Sequence, residues 1–265
     1  MLAMIAGATQ MLLVTTAKGE TRRLEQIRAG AVLDSAVEMA VLNLTDERPS
    51  KRWQVDGSDI AASFDDHQIR LRLQDQTGLI DLNASDGSML TRLLQSAGAS
   101  PDEAQTLTDR ILDWRSVTPL KSLHGASDTD YAAAGRPYRQ RHGPFETVSE
   151  LQLVLGITQS LYARLAPALT VYSNRPAIDP GVAPAPALRA FYLDSPGQVD
   201  ATLRARTNQP PMLQQNSTDN LLSPTAGHSY SIDASLDIGG RRYSRTAVIE
   251  LTGDDHNPYL VLLWR

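Results

Sequence analysis

The chain has 265 residues, 42% hydrophobic and 21% charged, enough apolar material for one large folded unit or two small ones. A net charge of −5 gives no electrostatic reason to expect a nucleic-acid partner, and the absence of cysteine excludes disulfide frameworks, cysteine zinc sites and thiol nucleophiles. Residues 1–17 carry no charge and are mostly apolar, interrupted by Thr9, Gln10, Thr15 and Thr16. That is shorter than the roughly 20 residues a bilayer core demands, so the stretch reads as the truncated part of a transmembrane helix, with a buried core helix as the alternative. A cleaved signal fits less well, because no basic region precedes the run and the helical pattern continues past it. Lys18, Arg22, Arg23 and Arg28 follow, which taken alone would turn the body toward the cytoplasm.

From Ala17 to about Leu44 there is no proline, and Leu24, Ile27, Ala31, Val37, Val41 and Leu44 recur among charged residues at helical spacing. With the apolar run this predicts one long helix, ended by Asp46–Arg52 and its Pro49. Gln68–Gln74 alternates strictly, as a half-buried strand does, and Gly78 marks the turn after it. Met89, Leu90, Leu93 and Leu94 give an apolar helical face ending at Gly98. Ser100, Pro101 and Glu103 then open a helix that closes near Trp114. After a polar loop, a capping box at Thr147 to Glu150 predicts a short helix broken at Gly156, followed by a helix carrying Leu161, Leu165 and Leu169. Asn174–Pro186 reads as a proline-rich connector, Ala187–Arg206 as one more helix, and Asn208–Gly227 as polar loop. The last forty residues predict a meander: Tyr230 to Ile238 alternate, Gly239-Gly240 makes a two-residue hairpin loop, Ala247, Ile249 and Leu251 keep the period of two, and Tyr259–Trp264 is a continuous apolar strand. A sheet of Gln68–Gln74 and these strands is expected to pack on the long helix, an α+β arrangement with a helical insert as a second domain.

No catalytic constellation is present. The chain has no nucleophile elbow, P-loop, dinucleotide fingerprint or H-E-x-x-H, and its five histidines lack ligand spacing. Asp81–Gly87 resembles a calcium loop only briefly, because its glycine is displaced and Arg92 stands where a bidentate glutamate belongs. Capping by Asn83 or Ser85 accounts for the stretch. The loop after Trp114 is a better candidate: Asp128 and Asp130 lie close together, Asp109 and Asp113 precede them, and Glu146 follows. The same carboxylates also suit turn formation in water. Phe145–Leu169 has the outline of a helix-hairpin-helix, which defines the alternative function, a binding module on a membrane-anchored periplasmic scaffold. Its hairpin, Gly156-Ile157-Thr158-Gln159, lacks a second glycine, and Arg164 is its one basic residue.

An ordered set of motifs then carries a family likeness. Gln74-Asp75-Gln76-Thr77-Gly78-Leu79-Ile80-Asp81-Leu82-Asn83 resembles the D-E-x-G-K-I-D-L-N signature of the K-type minor pseudopilins of bacterial type II secretion systems. Ile111–Arg115, Gly125-Ala126 with Tyr131, Arg136-Pro137-Tyr138, Pro144–Leu151, Leu155-Gly156-Ile157, Leu169–Ser173 and the aromatic ending Tyr259–Arg265 follow in that family's order. The resemblance implies a non-enzymatic structural subunit with a pilin-like fold, divided as 1–17 (truncated transmembrane part), 18–82 (first part of the pilin-like domain), 83–227 (inserted α-helical domain) and 228–265 (its C-terminal strands). It implies a subunit capping the pseudopilus tip with I- and J-type minor pseudopilins, initiating the pseudopilus and supporting export across the outer membrane. The major pseudopilin and the inner-membrane assembly platform are further partners, and nucleic acid is not. A single N-terminal span would hold it in the inner membrane with its body in the periplasm. Leu24, Ile27, Ala31, Val37 and Val41 are the expected partner interface. Calcium is the implied cofactor, with Asp113, Asp128, Asp130 and Glu146 as ligands. Two departures bear on the metal: Ser116-Val117-Thr118 replace acidic residues usual after Trp114-Arg115, and Ser127 replaces the glutamate expected after Gly125-Ala126.

Overall fold

One helix, α1 (Leu2–Leu44), carries the apolar N-terminal segment into the folded body. The computed structural model describes residues 2–46, 48–118, 120–208, 227–254 and 256–265; of residues 2–21, 49, 207 and 208 it describes the backbone alone. The side chains of the expected span at 1–17 and nearly all of the expected polar loop at 208–227 therefore lie outside the described residues. Among the described residues no helix is long and apolar enough to cross a membrane.

Strands β1 (Asp56–Phe64), β2 (His67–Asp75), β5 (Ser229–Ile238), β6 (Arg241–Leu251) and β7 (Tyr259–Trp264) form an antiparallel sheet in the order β1-β2-β5-β6-β7. Ile69, Leu71 and Leu73 of β2 join Tyr230, Ile232, Ala234 and Leu236 of β5 and Ala247, Ile249 and Leu251 of β6 on one buried face, as the period of two requires. Against that face α1 lays Ala29, Val32, Leu33, Ala36, Val37, Ala40, Val41 and Leu44, and the alanines let helix and sheet approach closely. Arg245 on β6 ties the layers, donating to Asp34 of α1 (2.7 Å) while lying over the Trp264 ring. The hairpin at Gly239-Gly240 has both residues at positive φ, as its sequence requires.

A second core belongs to the insert. It gathers α2 (Gly87–Ser96), α3 (Pro101–Arg115), α4 (Asp128–Ala133), α5 (Gln159–Leu165), α6 (Ala185–Phe191) and α7 (Gly197–Asn208), plus a short parallel pair, β3 (Ile80–Asp81) with β4 (Leu169–Thr170). Trp114 packs on Tyr131 and Phe145 with ring centroids 5.6 and 6.3 Å apart.

The structure departs from several of the sequence expectations. The helix expected at Ala187–Arg206 is two, α6 and α7, separated at 192–196, where Pro196 lacks the N–H that would continue the first helix. Leu169 lies in β4 rather than on a helix. Thr147 stands at the N-cap without a side-chain capping bond; Val148–Leu153 is a 3-10 turn rather than an α-helix, and the Glu150 carboxylate accepts from the Glu146 amide. The cap of α2 is Asp86, accepting from the Met89 amide at 2.8 Å, while Asn83 clamps Phe145 through both of its backbone groups.

The two cores meet at a buried polar seam built from the signature segment. Asp75 caps the turn Gln76–Gly78 by accepting from the Thr77 amide and hydroxyl (2.8 and 2.7 Å). Gln76 donates to Ser231 on β5 (3.0 Å) and accepts from Thr170 on β4 (2.7 Å), so one side chain stitches the sheet to the insert. Gln74 donates to the Val182 carbonyl at 2.9 Å. Gly78 is needed for close approach, since a Cβ there would sit 2.6 Å from that same oxygen. Each of these buried side chains has a partner, which low-dielectric burial demands.

Candidate functional site

At 100° per residue, Leu24, Ala31 and Leu42 lie on the side of α1 opposite Leu33, Ala36 and Ala40, and Ile27 lies on its flank. The expected interface accordingly divides. Leu24 and Ile27 are 55% and 60% exposed and Ala31 is exposed, whereas Val37 and Val41 are buried against the protein's own sheet. The last two are corrected to core residues: helical spacing alone mixed two faces of one helix that are both apolar. The structure adds apolar surface that the pattern did not single out, Leu42 on α1 and Leu260, Val261, Leu262 and Trp264 on the edge strand β7. The continuous apolar run of β7 resembled a buried strand; its position at the sheet edge exposes it.

The four carboxylates expected to bind calcium each have partners within the chain. Asp113, buried at the end of α3, accepts from the Ser122 amide and hydroxyl, the latter at 2.6 Å. Gly125 folds directly over it, leaving no room for a Cβ. Asp128 accepts from the Gln140 amide at 3.1 Å and faces His142 Nε2 at 3.3 Å. Asp130 accepts from Lys121 Nζ (2.9 Å) and from the Ser127 amide and hydroxyl (2.7 and 2.8 Å), closing the capping box of α4. The Lys121 ammonium first, and Ser127 after it, hold the Asp130 carboxyl well below the usual carboxylate range. Glu146 pairs with Arg141. Two carboxylates outside the expected set complete the arrangement. Asp109 accepts from the His124 amide (3.1 Å), and Glu150 accepts from Trp114 Nε1 (3.0 Å). Among the described residues no three or more His, Asp or Glu side chains gather in a way that could hold a metal ion.

The hairpin of the alternative reading is covered by the protein itself. Gly156 has φ +93°, and a Cβ there would meet Arg110 and Leu107 of α3 at 2.7 and 2.8 Å. Arg110 donates to the Leu155 carbonyl and Arg164 to the Ala97 carbonyl, so these guanidinium groups are engaged in packing rather than gathered around the turn.

Fold and surfaces define a class: an α+β protein with a pilin-like body, a long helix on an antiparallel sheet, carrying a helical insert. Residues 71–174 match the family model described as Type II secretion system (T2SS), protein K. The type II secretion system protein K of Pseudomonas aeruginosa is 27% identical over 210 residues, 74% of this chain and 60% of that protein. Its counterpart in Klebsiella pneumoniae is 34% identical over 110 residues, 42% of this chain and 33% of that protein. The matches thus span 60% or less of these relatives' own length. A chain of the crystal structure of the GspK-GspI-GspJ complex from the enterotoxigenic Escherichia coli type 2 secretion system has the same fold, with a TM-score of 0.62 at 17% identity, covering 94% of this chain and 98% of that one. The K-type resemblance read from the sequence is thereby shown: residues 71–174 match the protein K family model, and the relatives named above share that description.

Proposed function

We propose that this chain is a minor pseudopilin that caps the tip of the type II secretion pseudopilus. It assembles there with I- and J-type minor pseudopilins, initiates the pseudopilus and supports export across the outer membrane. It is a structural subunit rather than an enzyme, held in the inner membrane by residues 1–17 with its body in the periplasm, and it also meets the major pseudopilin and the inner-membrane assembly platform. The observation that carries this reading is α1 itself. It fills the groove of its own sheet with one face and keeps Leu24, Ile27 and Leu42 exposed elsewhere, a surplus of apolar surface that subunit packing would cover. The bulk of the insert beyond the seam suits a terminal position, because it leaves no flat end for another subunit to stack on.

The test is to mix the chain from Lys18 onward with the soluble parts of the I- and J-type minor pseudopilins of the same genome and measure mass by light scattering. One species of all three is the expected result. Three separate species at about 50 μM, a concentration at which any association tighter than that is visible, overturn the reading.

A further inference from the structure

The resemblance assigns calcium to the loop that joins α3 to α4 and runs on to Glu146, yet the donors there do not fit a hard cation. Such an ion needs six to eight oxygens, several from carboxylates free to turn inward. In this chain each of these carboxylates already accepts, through at least one of its oxygens, from the loop's own nitrogens and hydroxyls: Asp109 from His124, Asp113 from Ser122, Asp128 from Gln140, Asp130 from Lys121 and Ser127, and Glu146 from Arg141. The buried polar atoms without a partner beside Asp128 are nitrogens, Gln140 Nε2 and His142 Nδ1, rather than idle oxygens. The two departures from the family pattern act in the same direction, since Ser116-Val117-Thr118 bring no carboxylate and Ser127 serves as the cap of α4.

We propose that this insert replaces the metal with side-chain cations and backbone amides of its own, Lys121 and Arg141 supplying the positive charge, so that the loop keeps its shape without calcium. Four amides report on this directly. Those of Ser122, His124, Ser127 and Gln140 each donate to one of the carboxylates a bound calcium would have to claim.

The experiment compares the full chain in EDTA and in millimolar calcium chloride at matched ionic strength, reading the thermal midpoint and hydrogen exchange at those four amides. It needs no partner subunit, so its outcome is independent of the assembly reading. The expected result is equal midpoints to within about 1 °C and unchanged protection, because a ligand that does not bind the folded state cannot raise its stability. A calcium-dependent rise of about 5 °C or more, or altered protection of the four amides, overturns the proposal. The double variant Lys121→Gln, Arg141→Gln is expected to speed exchange at Ser127 about tenfold or more in both solutions, with Lys121→Arg restoring the Ser127 amide. Exchange at the parental rate in the double variant shows that the side-chain cations do not hold the loop and likewise overturns it.

Discussion

The two apolar faces of α1 can be told apart by a matched pair of substitutions. Val37 is fully buried between helix and sheet, so Val37→Ala removes two methyl groups from a packed core. At about 0.8 kcal/mol per group, with the cavity added, the loss is about 2–3 kcal/mol. For a chain of this size each kcal/mol moves the thermal midpoint by roughly 2–4 °C, so a fall of about 4–12 °C is expected. Ile27 is 60% exposed, and Ile27→Ala is expected to change stability by less than about 0.5 kcal/mol. Complex formation should reverse the order: an apolar residue in an interface centre costs about 1–2 kcal/mol or more on truncation, tenfold or so in Kd. Urea titrations of the separate variants and light-scattering titrations against the I- and J-type partners measure both axes. Ile27→Ala destabilising the monomer as much as Val37→Ala does, or leaving the three-way complex untouched, would refute the division of α1 into a core face and a partner face.

Three further outcomes follow from the seam and the insert. Gly78→Ala forces a Cβ onto the Val182 backbone, and with no flexible side chain to yield it should cost about 2–4 kcal/mol, read from the urea midpoint. Glu150→Ala strands the Trp114 indole N–H, since Trp114 is buried, and leaves the exposed Glu146 amide to water; about 1–3 kcal/mol of stability should be lost with a change in tryptophan emission, and an unaltered denaturation curve would count against the Glu150 bridge. At high pH, burial pushes the Tyr131 hydroxyl up to about 12 and holds Tyr230, beside Asp75, well above its ordinary 10. Folded values above unfolded ones mean stability is complete below about pH 10 and lost as pH rises; Tyr131 accounts for about 2–3 kcal/mol of that loss by pH 12, and Tyr131→Phe should flatten the slope in urea midpoints.

The long helix, β2 and the C-terminal meander were legible because each is a long element with a single clear period. Strand β1 was not. Its residues, Asp56 to Phe64, include Gly57 and Asp59 among few large apolar side chains, and it joins β2 through Asp65-Asp66, both at positive φ, a turn usually signalled by Asn-Gly or Asp-Gly. Sequence spacing found the apolar residues of α1 but not which of them face the sheet. Val37 and Leu24 are both apolar residues of one helix that point to different sides of it, and the sheet that decides between them is assembled from residues nearly two hundred positions apart. In the acidic loop the carboxylates were visible in the sequence while their partners were not. Nothing in the spacing of Lys121, Ser122 and His124 says that each turns back onto an aspartate of α3 or α4.

The signature segment is where fold and proposed role meet. Asp81, fully buried, accepts from the Asn83 and Ala84 amides on one side and from the Ser173 hydroxyl and Asn174 amide on the other, so the entry to the insert and the segment just after β4 are held by one carboxylate. Arg115 adds donors to the Leu82 and Ser85 carbonyls, fixing the end of α3 to the same point. Gln76 then joins this knot to β5, whose buried face packs on α1. In the proposed role, a terminal subunit has to transmit the position of its helix to the bulk of its insert. A loose linker would let the insert swing across the partners' surfaces. In this chain the path from α1 through β5, Gln76 and Asp81 to α3 runs through packed and hydrogen-bonded side chains, so orienting the helix in a bundle orients the insert with it. That is why Gly78→Ala, buried in the seam rather than on the exposed face of α1, should weaken assembly as well as stability: it breaks the link between the two cores while leaving that exposed face unchanged.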